Sequence, residues 1–267
     1  MNADEAWSAR FGDVVPLEIE ELGSFLTHRS VRRFTNDPVP NSLLRGLIGI
    51  AASASTSSNL QAWSVVSVRD PERRARLAEL VGNQRSVATA PVFLAFLLDL
   101  HRLEVVASRA GVMPDGLGTT EMMLTGTIDA ALAAERCLVA AEAIGLGGCY
   151  IGGLRNHPEA VAELLALPPH TFGLFGMVLG TPDPAHPGAI KPRLRPEALL
   201  HEEQYADPTP AHIAEYEARL RAFDQAQRPD AERSEWASQS GRRASRGGMS
   251  GRETLRESLH QQHLGLE

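Results

Sequence analysis

Residues 119–153 read TTEMMLTGTIDAALAAERCLVAAEAIGLGGCYIGG, and the fold turns on this stretch. From Thr119 to Ile144 it is rich in alanine and apolar nearly all round, the longest helical pattern in the chain. Such a helix is expected at the centre of the core or in a subunit interface. Gly145, Gly147 and Gly148 mark its end, as residues that accept a left-handed backbone often do. A strand-like triplet, Cys149–Ile151, then leads into Gly152 and Gly153. The first glycines serve as a helix stop, whereas the second pair lets backbone come close to a ligand and present its N–H groups. Because these glycines follow a helix rather than open one, they are not the GxGxxG fingerprint of a Rossmann dinucleotide site.

The surrounding sequence supplies strands for this helix to cover. PVFLAFLL (91–98) is a continuous apolar run of strand length, expected to be buried on both faces. WSVVSV (63–68) and TFGLFGMVL (171–179) read as further strands. Helices are expected over 17–28, from an N-cap at Asn41 to about Ala54, from Pro71 to Val81, over 158–166 and near 210–226. Residues 101–118 read as a helix followed by a Gly/Pro-containing loop, and 180–205 as an extended, Pro-rich stretch. Residues 227–251 (QRPDAERSEWASQSGRRASRGGMSG) are nearly devoid of apolar side chains and read as a mobile loop, before a last amphipathic segment. No repeat is evident, and regular βαβ alternation is missing. The class is therefore α+β or mixed α/β, in one domain: residues 1–226 as its body, with 227–267 as a loop and terminal helix belonging to it.

Composition narrows the function. The 267 residues suffice for one large core. A net charge of -7 gives no general attraction to nucleic acid or to an anionic membrane, so a small anion needs a local basic site. The N-terminus lacks the apolar core of a signal peptide, and no run is long enough to span a membrane. Cys137 and Cys149 are too few for a disulfide framework, and a cytoplasmic protein is expected. No metal site is expected either, since His201-Glu202 has no second histidine at helical spacing. Of the 26 basic residues only Lys191 is a lysine, a bias that fits genomic codon usage.

Four segments carry candidate chemistry. HRSVRRF (28–34) gathers three arginines, a histidine and a hydroxyl that can bind phosphate oxygens. STSSNLQ (55–61) offers hydroxyls and amides for a polyol or a heterocycle edge, and 145–153 offers backbone donors. Lys191-Pro192-Arg193 places two cations on a stiff extended chain, where alternation can turn both to one side.

In this order the four segments resemble the nitroreductase superfamily, specifically the oxygen-insensitive NADPH nitroreductases and NADPH–flavin oxidoreductases with a long C-terminal extension. The motifs HRSVRRF, STSSNLQAW, GLGGCYIGGLRN and KPRLRPEALLHEEQY carry the likeness, which runs from about Leu22 to Tyr216. It implies a central mixed, mainly antiparallel sheet wrapped by helices, and an intertwined homodimer with FMN at the subunit interface. His28, Arg29, Ser30 and Arg32 would line that site, His28 and Ser30 joining Lys191 and Arg193 at the phosphate. Arg32 and Gln84, the latter in GNQR, would meet the pyrimidine edge of the flavin. Ser55, Thr56, Ser57 and Asn59 would come from the second subunit, and Tyr150, Ile151, Gly152 and Gly153 would cover the ring.

No side-chain acid, base or nucleophile is then essential, because the flavin carries the reaction. The resemblance implies ping-pong transfer of two electrons from NADPH or NADH to nitroaromatic, quinone or similar acceptors. In relatives, arginines of the C-terminal extension help to bind the nucleotide phosphate. Arg228, Arg233 and Arg252 stand in that region here, with altered spacing and with Glu232 among them. Two other readings are a flavin reductase serving a partner monooxygenase and a flavin-binding protein without turnover. Cys149 is expected to pack as a small buried thiol rather than to act in redox chemistry.

Overall fold

The computed structural model describes residues 2–12, 23–229 and 235–265. In chain order the helices are α1 (Ala3–Phe11), α2 (Gly23–Leu26), α3 (Asn41–Ala51), α4 (Pro71–Leu80), α5 (Arg85–Thr89) and α6 (His101–Ala110). They continue with α7 (Thr120–Ala143), α8 (Pro158–Leu165), α9 (Pro210–Gln227), α10 (Trp236–Ala244) and α11 (Leu255–Gln261). The strands are β1 (Trp63–Val68), β2 (Val92–Asp99), β3 (Gly147–Ile151) and β4 (Thr171–Gly180). Two compact units result: residues 1–29 with 188–249, and residues 30–187 with 250–267.

The second unit holds the sheet, in the order β1-β2-β4-β3 with all three pairings antiparallel. Every residue of β2 is buried, as its unbroken apolar run requires of a central strand covered on both faces. One face, with Leu94, Phe96 and Leu98, packs with α3 and α7. The other, with Phe93, Ala95 and Leu97, packs with α4, α8 and Val87 of α5. Asp99 ends β2 and starts α6: Ser64 donates a hydroxyl hydrogen bond to it, and the Arg102 N–H donates at 3.1 Å.

The long helix lies where its composition directs it. Thr119 caps it, its hydroxyl accepting from the Met122 N–H at 3.3 Å. Thr125, Gly126, Asp129, Ala130, Ala133, Ala134, Cys137, Leu138 and Ala141 form the buried face. The opposite face is solvent-exposed yet partly apolar, so the helix is not buried all round. Small residues on the inner face let the helix approach the sheet closely. A Cβ on Gly126 would sit 2.8 Å from the Ala62 carbonyl oxygen and 2.2 Å from Leu98 Cδ1.

In the first unit, α1 is closed at both ends. Asn2 and Glu5 form a reciprocal capping box, and Gly12 (φ 79°) stops the helix in the left-handed region. Helices α9 and α10 meet through an edge-on Tyr216–Trp236 contact with ring centroids 5.2 Å apart.

Several sequence expectations are corrected. Residues 227–251, read as a loop, contain α10, whose N-terminal Ala237 N–H donates to Glu217 at 2.8 Å and whose Trp236 docks on Tyr216. Those two tertiary contacts outweigh a composition poor in apolar residues. Within 17–28 only Gly23–Leu26 is described as helix, and residues 13–22 lie outside the described residues. Asn41 is the first helical residue of α3, after Pro40, and gives no side-chain cap. Strand β3 starts two residues earlier than Cys149, because Gly147 and Gly148 pair with β4. Helices α1 and α5 have no counterpart in the sequence reading.

Replacing glycine by alanine inside a helix ordinarily adds about 1 kcal/mol of stability. Gly126→Ala is expected to reverse that sign and cost about 1–3 kcal/mol through overpacking against the Ala62 carbonyl. Urea unfolding of the two proteins measures the difference, and a stabilised variant would contradict the packing.

Candidate active site

In the second unit, the basic segment Ser30–Thr35 is stitched to the sheet by its backbone. The Val31 N–H donates to the Gly148 carbonyl at 2.9 Å, and the Thr35 N–H donates to Thr181 at 2.9 Å. The Asp183 N–H returns a bond to Arg33 at 3.0 Å, and Phe34 bridges to Pro182. Val31 is buried where Gly147 has no side chain, since a Cβ there would lie 2.5 Å from Val31 Cγ2. With Val31 turned inward, Arg32 and Arg33 are exposed.

The turn after α4 brings the second group. Gly82 (φ 92°) and Asn83 (φ 56°) are both left-handed and deliver Gln84 to the start of α5. Gln84 Nε2 donates to the Val81 carbonyl at 2.9 Å, which fixes the carboxamide. Gly153 packs against the same spot: a Cβ would meet the Val81 oxygen at 2.5 Å and Gln84 Nε2 at 3.0 Å. Arg32, Arg33, Gln84, Arg85 and Asp183 thus share the wall of a cavity of about 550 Å³. Three arginines and one acid line it. That acid is engaged: His186 and the Ala185 N–H, bonding at 2.8 and 2.9 Å, hold the Asp183 carboxyl below the ordinary carboxylate range. Arg33 Nη1 lies 2.7 Å from the other ring nitrogen of His186.

The structure therefore brings together Arg32, Gln84 and Gly153 of the residues expected at the site. Tyr150 points to the opposite face of β3, its hydroxyl donating to Glu135 at 3.1 Å and its ring set edge-on to Phe175. Burial and then the Glu135 carboxylate push the Tyr150 phenol up, so it stays protonated as a donor. Ile151 is buried, and Gly152 lies beside Arg252, which donates from Nε to Asn156 at 2.8 Å. Cys149 is buried; burial raises its thiol pKa while the Arg32 charge and a Ser30 hydrogen bond oppose the rise.

Ser55, Thr56, Ser57 and Asn59 lie outside that cavity wall, on a largely exposed loop. Ser58, Asn59 and Gln61 in this loop all have positive φ (47°, 56° and 53°), a costly cluster for residues with a Cβ. Asp129 of α7 holds it: its carboxylate accepts the Ser57 N–H at 2.9 Å and the Ala62 N–H at 3.1 Å. The sequence reading missed Asp129, although a lone acid inside TIDAALAA is the signal for a buried charge with a specific task. It also left out Arg85, the neighbour of Gln84, and named Arg33 within the basic segment without giving it a place at the flavin.

His28, Arg29, Lys191 and Arg193 belong to the first unit. Lys191 and Arg193 are exposed around buried Pro192, the alternation expected of an extended chain. Arg29 lines a cavity of about 510 Å³ with Ala9, Ile190 and Phe223. Arg228 caps α9 and pairs with Asp224 at 3.1 Å. Arg233 lies outside the described residues.

Two family models match the sequence: "Nitroreductase family" over residues 26–181 and "Nitroreductase family, C-terminal domain" over 191–267. The chain belongs to the nitroreductase family. It is 40% identical over 217 residues to the NADPH-flavin oxidoreductase of Vibrio harveyi, covering 81% of this chain and 87% of that one. It is 39% identical over 211 residues to the oxygen-insensitive NADPH nitroreductase of Salmonella typhimurium, covering 79% and 85%. The solved structure of the NfrA1 nitroreductase from B. subtilis superposes with a TM-score of 0.85 at 33% identity, over 92% of this chain and 99% of that one. The nitroreductase-like fold and the membership inferred from four ordered motifs are thereby confirmed. Among the described residues no helix is long and apolar enough to cross a membrane.

Asp129→Ala leaves two backbone donors without their acceptor and is expected to cost about 3 kcal/mol of stability. Hydrogen exchange at Ser57 and Ala62 should accelerate selectively; unchanged protection there would contradict the role of Asp129.

Proposed function

We propose that this chain is a cytoplasmic, homodimeric, FMN-dependent NAD(P)H oxidoreductase that passes two electrons to nitroaromatic, quinone or similar acceptors. The supporting observation is the cavity of about 550 Å³ whose wall includes Arg32, Arg33, Arg85 and Gln84, a basic and amide lining suited to a heterocycle with an anionic edge. The names of its relatives, an NADPH-flavin oxidoreductase and an NADPH nitroreductase, point the same way. When bound, FMN supplies the redox chemistry, taking hydride from the nucleotide and giving the electron pair to the acceptor.

The protein's part is to bind, orient and tune. Arg32 supplies fixed positive charge to the pyrimidine edge and so favours the reduced, anionic flavin, while Gln84 hydrogen-bonds that edge. Gly152 and Gly153 present backbone N–H groups to the ring, beside Tyr150 and Ile151. His28, Ser30, Lys191 and Arg193 are assigned to the phosphate, and Arg29 to the wall of the flavin site. Arg228 and Arg252 are assigned to the nucleotide. Ser55, Thr56, Ser57 and Asn59 are assigned to the flavin of the partner subunit, in keeping with their exposure on a braced loop.

The dimer reading has its own support. Leu124, Ile128 and Leu132 succeed each other at four-residue spacing on the outer face of α7 and are 48%, 57% and 46% exposed. One apolar stripe along a 24-residue helix fits a helix-on-helix subunit contact. Ile128→Asp is expected to convert the dimer to monomer in light scattering; a monomeric wild type would contradict the assembly.

Adding NADPH or NADH to the anaerobic, flavin-loaded protein should bleach the flavin's long-wavelength band, and a nitroaromatic or quinone should restore it. Flavin that stays oxidised with both nucleotides would exclude the reductase. Arg32→Ala should lower the flavin midpoint potential by about 30 mV, the two-electron equivalent of about 1.4 kcal/mol, and slow turnover. An unchanged potential would contradict the role of Arg32.

A further inference from the structure

We propose that Arg10 and Arg219 form a clasp that sets the spacing of two segments that carry residues assigned to the FMN phosphate, the one ending at His28 and Lys191–Arg193. The inference rests on the flavin reading above. All its parts lie in the first unit.

Arg10 is 7% exposed and reaches both segments at once. Its Nη2 donates to the carbonyls of Leu26 at 2.7 Å and His28 at 2.9 Å, with Nε also donating to Leu26 at 3.3 Å. Its own carbonyl oxygen accepts the Arg193 N–H at 2.9 Å. Arg219, from α9, donates from Nη1 to the Arg10 carbonyl at 2.9 Å and from Nη2 to the Arg193 carbonyl at 3.0 Å. Both backbone polar groups of Arg193 are therefore held, one by Arg10 and one by Arg219. Arg195, two residues on, is tied as well: its Nε donates to Phe11 at 3.1 Å, and Nη2 pairs with Glu215 at 2.6 Å.

The physical reason for such bracing is preorganisation. Fixed guanidinium forks satisfy several carbonyls in one geometry, so the backbone of both segments is set before any anion arrives. A phosphate then meets segments already in place, and little binding energy goes into ordering the loops. Arg10 can do this because it sits in the last turn of α1, a helix whose Asn2–Glu5 box and left-handed Gly12 close both ends. Helix α1 lies outside both stretches matched by the family models. Arg10 and Arg219 are positioning residues: their guanidinium groups are committed to carbonyls, and their effect on phosphate passes through Arg193 and His28.

The test compares FMN with riboflavin, which is the same ring system without phosphate. The full-length protein is stripped of flavin, and both affinities are measured by fluorescence quenching for wild type, Arg10→Met, Arg219→Met and Arg10→Lys. Wild type is expected to prefer FMN. The two methionine variants keep the apolar stem, and each should lose about tenfold in FMN affinity with riboflavin affinity changed less than about twofold. Arg10→Lys should recover part of the loss, since an ammonium can still serve one carbonyl. A parallel fall for FMN and riboflavin, or an unchanged ratio in the folded variants, overturns the clasp. If Arg10→Met does not fold, Arg219→Met decides on the same ratio. A wild type that binds riboflavin as tightly as FMN overturns the phosphate assignment itself, and the clasp with it.

Discussion

The candidate site depends on one backbone hydrogen bond and the gap beside it. The Val31 N–H reaches the Gly148 carbonyl only because Gly147 leaves room for the Val31 side chain. That bond fixes the facing of the segment: Val31 enters the core, and Arg32 and Arg33 after it are exposed. Bonds to Thr181 and Asp183 hold the far end, so the arginines ride on a strand edge rather than on a loose loop. Gly153 does the corresponding work on the other wall, admitting the Val81 carbonyl and the Gln84 amide to the end of β3. Two glycines thus set the separation of the groups that face the cavity. A cofactor that needs charge at one edge benefits from donors held before it binds.

Arginine serves the protein as a brace as much as a charge. Arg69 donates to the Val39 carbonyl, Arg73 to Leu164 and Arg155 to Leu174 in the second unit. Arg10, Arg195 and Arg219 do the same in the first. A guanidinium has five donors in a rigid fork, so one side chain can satisfy carbonyls from separate loops, which a lysine's single ammonium does poorly. Whatever produced a chain with one lysine among 26 basic residues, its loops are tied down by the alternative. Asp129 is the acidic counterpart, a buried carboxylate spent on two N–H groups of a strained loop.

Much of this was legible in the sequence because it follows from local pattern. The apolar run 91–98 is the central strand, the alanine-rich pattern from Thr119 to Ile144 is the long helix, and the basic, hydroxylic and glycine segments stand out by composition. What stayed hidden depends on tertiary contact. Helix α10 is held by Tyr216 and Glu217, which its own polar composition does not announce. Arg10 looks like a surface charge until its partners, far away in the chain, come into view, and the lone acid Asp129 in an alanine-rich helix signals burial without naming the Ser57 and Ala62 N–H groups it holds. Gln84 was placed by motif alone; the left-handed Gly82–Asn83 turn gives the physical reason for its position.

The most direct test is a crystal structure of the protein grown with FMN. The account predicts the flavin in the cavity of the second unit, with its pyrimidine edge within hydrogen-bond reach of Arg32 and Gln84 and the Ser30–Thr35 backbone unmoved. Flavin bound elsewhere, or a basic segment that must leave its bond to Gly148 to admit it, would contradict the central claim that the site is built before the cofactor arrives.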